Sequence, residues 1–322
     1  VIIHNGSFAW WDVGDCREAL VRWAASGTRA RMCVTSPPYF NQRHYNGGES
    51  ELGRERTPQE YVRNLVDVMR LVRDVLTKDG TLWLNLGDGW AQSGGKGEHP
   101  AMTSARRGRA NVKAQAKLST QSVPPGFKQK DLFGIPWRVA FALQDDGWYL
   151  RSDIIWAKGT SGMIRGGGTT PESVRDRPCK AHEYVFLLAK SRHYYFDYEA
   201  IQEPAKDWGK PRDRSNMRGG TTDPLLKHAG LSKVDHEMGN MRDVWRINTS
   251  RYQSAHFATF PPALVEPCIR AGSAPGDIVI DPFGGSGTTG GVALREGRHA
   301  LLCELNPDYA KLMPDRIRSI CA

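Results

Sequence analysis

The run Val34-Thr35-Ser36-Pro37-Pro38-Tyr39 places a hydroxyl, two prolines and a phenol directly behind an apolar stretch, RARMCV, that reads as a buried strand. Proline has no N–H for a strand ladder and restricts the residue before it, so 36–39 must form a stiff, extended lip at the strand's carboxyl end. Ligands of open α/β sheets bind in that place. A second group lies near the other end of the chain, where DIVIDPFGGSGTTGGVALREGRHALLCELN reads as strand, glycine-rich turn, helix, strand and acid. Such a turn lets a ligand approach the backbone, and the free N–H groups at the helix start attract negative charge. Gly285, Gly287 and Gly290 satisfy G-x-G-x-x-G, and Glu304 follows about 20 residues on, where a ribose-binding acid belongs. A nicotinamide-dependent oxidoreductase is therefore one reading of this half. A P-loop is not, because no lysine follows the last glycine of GGSGTT.

The elements that must position these groups alternate. CREALVRWAAS has helical spacing and precedes the RARMCV strand. Thr57 and Pro58 read as the N-cap and first residue of a long amphipathic helix with Tyr61, Leu65, Val68, Val72 and Leu76 on its apolar face. Lys-Asp-Gly at 78–80 is expected to stop it, with a strand over 81–88. IPWRVAFALQDD reads as a helix, WYLRSDIIWAK as a strand, and EYVFLLAKSRHYYFD as a hairpin. FPPALVEPCIRAG reads as a helix, DIVIDPF and HALLCEL as strands, and PDYAKLMPDRIRSI as one final helix. Two stretches break this rhythm. Residues 91–130 are rich in Gly, Ser, Lys and Arg with hardly an acid, and read as a basic flexible insertion or as a loop along a phosphate backbone. Residues 202–246 are polar and charged in both signs, either a linker or a loop that reads a substrate.

A chain of 322 residues, 39% hydrophobic, is long enough for one large α/β domain with insertions. Its 44 Lys and Arg against 35 Asp and Glu give a net charge of +9, which suits a polyanionic partner such as nucleic acid. No apolar run approaches the roughly 20 residues of a membrane span, and VIIHNGSFAWWD lacks the layout of a signal peptide, so a cytoplasmic protein is expected. The six cysteines are scattered without a C-x-x-C pair, which argues against both a structural metal and a disulfide framework.

Position in the chain separates the candidate chemistries. A dinucleotide domain needs several strand–helix–strand units after its glycine fingerprint, but this chain ends at residue 322, soon after Gly287. The partner strands must then come from the N-terminal half, as in a circularly permuted sheet. TSPPY upstream and DPFGGSGTT downstream, in that order, resemble the beta-class DNA amino-methyltransferases, which use S-adenosylmethionine to methylate cytosine N4 or adenine N6. GDCREAL, TLWLNLGD, RPCKAHEYVFLLAK, HFATFPPALVEPCI and CELNPDY look like further family segments in family order, so the resemblance covers most of the chain.

The resemblance implies a doubly wound, mostly parallel Rossmann-like methyltransferase sheet, circularly permuted, with inserted DNA-recognition loops. Residues 1–90 and 131–201 would form the catalytic half, 202–246 the target-recognition region and 247–322 the cofactor half. An exocyclic base amine is a poor nucleophile because its lone pair is delocalised into the ring. The Ser36 hydroxyl oxygen and the Pro37 carbonyl, held by Pro37 and Pro38, would accept from its hydrogens and leave the lone pair aimed at the methyl group. Tyr39 would stack on a base flipped from double-stranded DNA.

On the cofactor side, the resemblance implies that Asp281, Phe283, Gly284, Gly285, Gly287 and Thr288 line the methionine portion of S-adenosylmethionine. Glu304 would accept from the ribose, Asp15 would meet the adenine, and His256, Phe257 and Ala258 would close over the cofactor. Asp15 reads equally as a structural cap, and His256 equally as a satisfied histidine at a helix start. Ser-Pro-Pro resembles the cytosine-N4 enzymes more than the adenine-N6 enzymes, although either base stays open. Arg212, Arg214, Asn216 and Arg218 would read bases or grip phosphates. A cognate restriction endonuclease is a partner the resemblance suggests. An inactive nucleic-acid-binding module fits the charge but not two intact motifs.

Overall fold

A computed structural model describes residues 1–42, 51–91, 123–159, 172–204, 238–249 and 260–322. The chain opens with two antiparallel strands, β1 (Ile2–His4) and β2 (Ser7–Val13), joined at Asn5 and Gly6, whose φ angles of 47° and 82° suit a two-residue hairpin turn. Sequence reading assigned no strand here, though Asn-Gly is the signal for one. Asp15 caps helix α1 (Cys16–Ala25), which leads to strand β3 (Ala30–Thr35). Helix α2 (Pro58–Val75) starts in a reciprocal capping box. The Thr57 hydroxyl accepts from the Glu60 N–H at 3.1 Å, and the Glu60 carboxylate accepts from the Thr57 N–H at 3.3 Å. Its buried face carries Tyr61, Leu65, Val68 and Val72, as the spacing predicts.

Strand β4 (Leu76–Leu86) follows without the expected interruption. Leu76 pairs with Ala30 of β3 and Thr81 with Met32, so residues 77–80 bulge out of the ladder instead of capping the helix. Asp79, in that bulge, is held by Arg31. Helix α3 (Ile135–Asp145), strand β5 (Tyr149–Ala157) and strand β6 (His182–Ala189) come next.

The hairpin expected over 183–197 does not form. Strand β6 already has antiparallel partners on both sides, β4 and β5, and no edge remains for a returning arm. The chain leaves the sheet instead: the Tyr195 and Asp197 N–H groups donate to the carbonyls of Asp79 and Ala271, and Phe196 stacks on Trp83.

Two short strands, β7 (Glu203–Pro204) and β8 (Met238–Gly239), pair as a ribbon, and β9 (Val244–Arg246) joins the sheet beside β5. Helix α4 (Pro262–Gly272), strand β10 (Ile278–Asp281), helix α5 (Thr288–Arg295) and strand β11 (His299–Glu304) match the sequence reading. The single final helix is instead two, α6 (Pro307–Ala310) and α7 (Met313–Cys321). Pro314 lacks an N–H to continue the first helix and sits in the opening turn of the second, where none is needed.

The main sheet has the order β1-β2-β11-β10-β3-β4-β6-β5-β9. β2, β11, β10, β3 and β4 are mutually parallel, while β1 and β6 run against their neighbours. Strands late in the chain, β10 and β11, thus lie between the early strands β2 and β3, the permuted arrangement that motif order implies. Both sheet faces are covered. Cys33, Leu82 and Leu84 point to one, among Leu20 of α1, Leu65 and Met69 of α2 and Leu143 of α3. Met32, Val34 and Trp83 alternate to the other, among Val265 and Ile269 of α4, Val292 of α5 and Ile317 of α7. Each such side chain contributes about 1.5–3 kcal/mol through burial.

This doubly wound layout places the crevice. From β10 the chain crosses by α5 to β11 on one side, and from β3 it crosses by α2 to β4 on the other. The carboxyl ends of β10 and β3, which are paired neighbours, form the switch point where such sheets bind ligands.

Candidate active site

Thr35 ends β3 and Asp281 ends β10, and they meet. The Thr35 hydroxyl donates to Asp281 Oδ1 at 2.6 Å, the Thr289 hydroxyl of α5 donates to Oδ2 at 2.6 Å, and the Phe283 N–H donates to Oδ1 at 3.0 Å. Asp281 is 1% exposed, and burial pushes its carboxyl up to about 6 against the pull of those three donors. Asp281 is the clamp that holds the two strand ends in register.

Beyond Thr35 the lip is tied inward. The Ser36 hydroxyl reaches Asn85 Oδ1 of β4 at 3.2 Å and Tyr39 Oη at 3.3 Å. The Tyr39 hydroxyl reaches Glu183 Oε2 of β6 at 2.8 Å and Asn85 Oδ1 at 3.0 Å. The Asn85 amide group donates to the Tyr184 carbonyl at 3.0 Å and to Glu183 Oε2 at 3.3 Å, which fixes its oxygen toward the two hydroxyls. Glu183 also pairs with Lys158, whose Nζ lies 4.6 Å from the ring centroid of Trp156. The Pro38 carbonyl accepts from the Tyr61 hydroxyl of α2 at 2.9 Å, while no hydrogen bond among the described residues occupies the Pro37 carbonyl. Gly87 lets the Tyr39 ring lie flat on the backbone, since a Cβ there would come within 2.6 Å of it. Burial, with the Glu183 charge, holds the Tyr39 phenol well above its ordinary pKa, so it stays protonated.

The turn after β10 is built the other way. Gly285 and Gly287 have φ angles of 52° and 90°, and a Cβ on Gly287 would lie 3.2 Å from Ile317 and Met313. The Gly285 N–H donates to Glu304 Oε2 and the Asn306 N–H to Oε1, each at 2.8 Å. Burial pushes the Glu304 carboxyl up to about 7 despite these bonds. The Ser286 and Thr288 hydroxyls are buried with no partner among the described residues, which leaves two polar atoms at the start of α5.

One cavity of about 530 Å³ joins the two constructions. Ser36, Pro37, Pro38 and Tyr39 line one side, with Phe283, Gly284, Gly285, Thr288 and Glu304 on the other. Asp15 also lines it, caps α1 and forms a two-point pair with Arg17 at 2.6 and 2.9 Å. Asp281 and Gly287 sit beneath the lining, the first as the clamp and the second as the pivot of the turn. His256, Phe257 and Ala258, like Arg212, Arg214, Asn216 and Arg218, lie outside the described residues. So do residues 92–122 of the basic stretch. Sequence reading missed Asn85, Lys158 and Glu183, which also line the cavity. A signal existed for Asn85, a lone amide inside the apolar strand TLWLNL.

Comparison with known proteins agrees with this fold. The profile of the N6/N4 methyltransferase family, described as DNA methylase, matches residues 30–314. The chain is 44% identical over 308 residues to the type II methyltransferase M.SmaI of Serratia marcescens, covering 95% of this chain and 89% of the relative. It is 42% identical over 309 residues to the type II methyltransferase M.XycI of Xanthomonas campestris pv. cyanopsidis, covering 95% and 86%. Among solved structures, the cytosine-N4-specific PvuII DNA methyltransferase shares the fold with a TM-score of 0.59 at 20% identity, covering 98% of this chain and 92% of that one. The M1.HpyAVI–SAM complex does so with a TM-score of 0.54 at 15% identity, covering 96% and 99%.

Proposed function

We infer that this chain, which belongs to the DNA methylase family, transfers a methyl group from S-adenosylmethionine to the N4 amine of a cytosine turned out of duplex DNA. The observation that carries the reading is the shared cavity: Ser36 and Pro37 line the same space as the glycine turn of Gly284 and Gly285.

S-adenosylmethionine supplies an electrophilic methyl group on a sulfonium. The residues present fit it: a cavity of about 530 Å³, an open helix start, the unpartnered Ser286 and Thr288 hydroxyls, and the Glu304 carboxylate as an acceptor for ribose hydroxyls. On the other side, Ser36 Oγ and the Pro37 carbonyl accept the two amine hydrogens and orient its lone pair for in-line attack. Tyr39 offers a ring for stacking on the extruded base. No covalent adduct with the base is needed. Serine at the first motif position supports cytosine N4 over adenine N6.

The names of the relatives support a type II modification enzyme, and we propose a cognate endonuclease as its partner. We assign target recognition to residues 202–246, with Arg212, Arg214, Asn216 and Arg218, and phosphate contact to the basic stretch 91–130. His256, Phe257 and Ala258 are assigned to cofactor closure. Among the described residues no helix is long and apolar enough to cross a membrane.

The test is to incubate the protein with labelled S-adenosylmethionine and mixed-sequence unmethylated DNA, digest to nucleosides, and identify the labelled one by mass spectrometry. Label in N4-methylcytosine is expected. Label in N6-methyladenine would replace the base, and no label in DNA would refute the reading.

A further inference from the structure

Methylation of an amine releases a proton, and the structure holds a path for it. Ser36 has a single proton to donate, and both groups within its reach, Asn85 Oδ1 and Tyr39 Oη, lie inside the protein. Tyr39 in turn has a single proton, and its shorter contact, 2.8 Å, is to Glu183 Oε2, an acceptor with no proton to offer when ionised. The direction of the chain is therefore set from its inner end: Glu183 takes from Tyr39, Tyr39 Oη is left to take from Ser36, and Ser36, a residue of the cavity wall, keeps its lone pairs to accept with.

We propose that Glu183 is the terminus of a proton wire running from Ser36 through Tyr39, which keeps Ser36 an acceptor and takes up the proton the target amine loses. The inference rests on the methyl-transfer reading above. As the N–CH₃ bond forms, the S–CH₃ bond breaks and its electron pair stays on sulfur. The amine proton passes to Ser36 Oγ, the Ser36 proton to Tyr39 Oη, and the Tyr39 proton to Glu183 Oε2, which becomes a neutral acid. The moves are concerted, because burial disfavours a free Tyr39 phenolate. Lys158 resets the wire: left beside a neutral acid, its positive charge favours loss of the proton to solvent through the open cavity.

The charged and titratable groups facing Glu183 are Lys158 on β5, Tyr39 on the lip, and Lys180 and His182 at the entry to β6. Burial lowers the pKa of both Lys180 and His182, Lys180 pairs with Asp88, and among the described residues the Lys158 ammonium is the cation in direct contact with the Glu183 carboxylate. Glu183 acts through Tyr39 and is a positioning residue.

The experiment is single-turnover methylation of DNA at saturating S-adenosylmethionine in H2O and in D2O, with cofactor Kd measured in parallel. Wild type should be slower in D2O, because the protons move in concert with methyl transfer. Glu183→Gln should be roughly hundredfold slower, bind cofactor within about twofold of wild type, and lose the solvent isotope effect. Glu183→Asp should recover that isotope effect and part of the rate. Tyr39→Phe, which keeps the ring, should behave like Glu183→Gln, and the double variant should be no slower than either. A Glu183→Gln enzyme within about threefold of wild type, with an unchanged isotope effect, would overturn the proposal. If that variant loses cofactor binding, Tyr39→Phe decides: a wild-type rate and isotope effect overturns the wire, and a slow rate without the isotope effect supports it. An inactive wild type refutes the methyl-transfer reading and this inference with it.

Discussion

The lip after β3 and the turn after β10 begin on neighbouring strands and end on one cavity, yet they are constructed oppositely. The lip is stiffened by Pro37 and Pro38 and its donors are spent inward on Asn85, Tyr39 and Glu183. The turn is made of glycines at left-handed φ and leaves the Ser286 and Thr288 hydroxyls unspent. A group that must present lone pairs to a weak nucleophile gains from having every proton engaged elsewhere. A group that must grip a ligand gains from polar atoms that only the ligand satisfies. Between them stands Asp281, which ties Thr35 to Thr289.

The sharpest way to divide the two regions is Ser36→Ala. Methyl transfer should fall roughly hundredfold, the usual scale for one preorganised hydrogen-bonding group, while the cofactor Kd stays within about twofold in a binding titration. A matching loss of cofactor affinity would mean the regions are not separable.

Cutting the tie comes next. Thr35→Val leaves the Asp281 carboxylate one donor short, which should cost about 1–3 kcal/mol of stability in denaturant unfolding. The lost donor was holding the Asp281 pKa down. The deficit should therefore be larger at pH 8, where the carboxylate must be charged, than at pH 5.

Gly287→Ala strains only the turn. A left-handed φ costs a non-glycine residue about 1–2 kcal/mol, and the new methyl meets Ile317 and Met313 at 3.2 Å. A lower Tm and weaker cofactor binding are expected, with single-turnover transfer at saturating cofactor close to wild type.

A further difference is one of pH on the cofactor side. Folding raises Asp281 from 3.8 to about 6 and Glu304 from 4.5 to about 7. The folded state thus holds protons the unfolded state has lost, so their stabilisation is complete below about pH 4 and is lost as pH rises through about 6 to 7. The Tm without cofactor should drift down between pH 5 and pH 8. Cofactor affinity should move the opposite way, because ionised Glu304 is the better acceptor for ribose hydroxyls. In Glu304→Gln the rise in affinity should vanish.

Much of this site was legible in the chain. Thr57-Pro58, Ser36-Pro37-Pro38 and Gly285-x-Gly287 are local signals, because caps, stiff turns and left-handed glycines are dictated by residues a few positions apart. The Asn5-Gly6 hairpin was equally local and went unread. The errors elsewhere have one cause. The stretch 190–197 looked like a returning strand, but whether a strand finds an edge depends on what already flanks β6. Lys78-Asp79-Gly80 looked like a helix stop, but β3 pulled Leu76 into the ladder and pushed the tripeptide out as a bulge.

By itself, the sequence determined the chemistry on offer: a rigid hydroxyl-bearing lip, a glycine turn before a helix, and an order of motifs that only a permuted sheet can reconcile. Tertiary structure decided the rest. It set Glu183 against Tyr39 across 144 residues of chain and Asp281 against Thr35 across 246. The hydrogen bonds that orient Ser36 and lock the two strand ends run between strands, and no spacing along a chain encodes which strand ends will be neighbours. That choice belongs to the sheet order, settled by the packing of two helical layers on its faces.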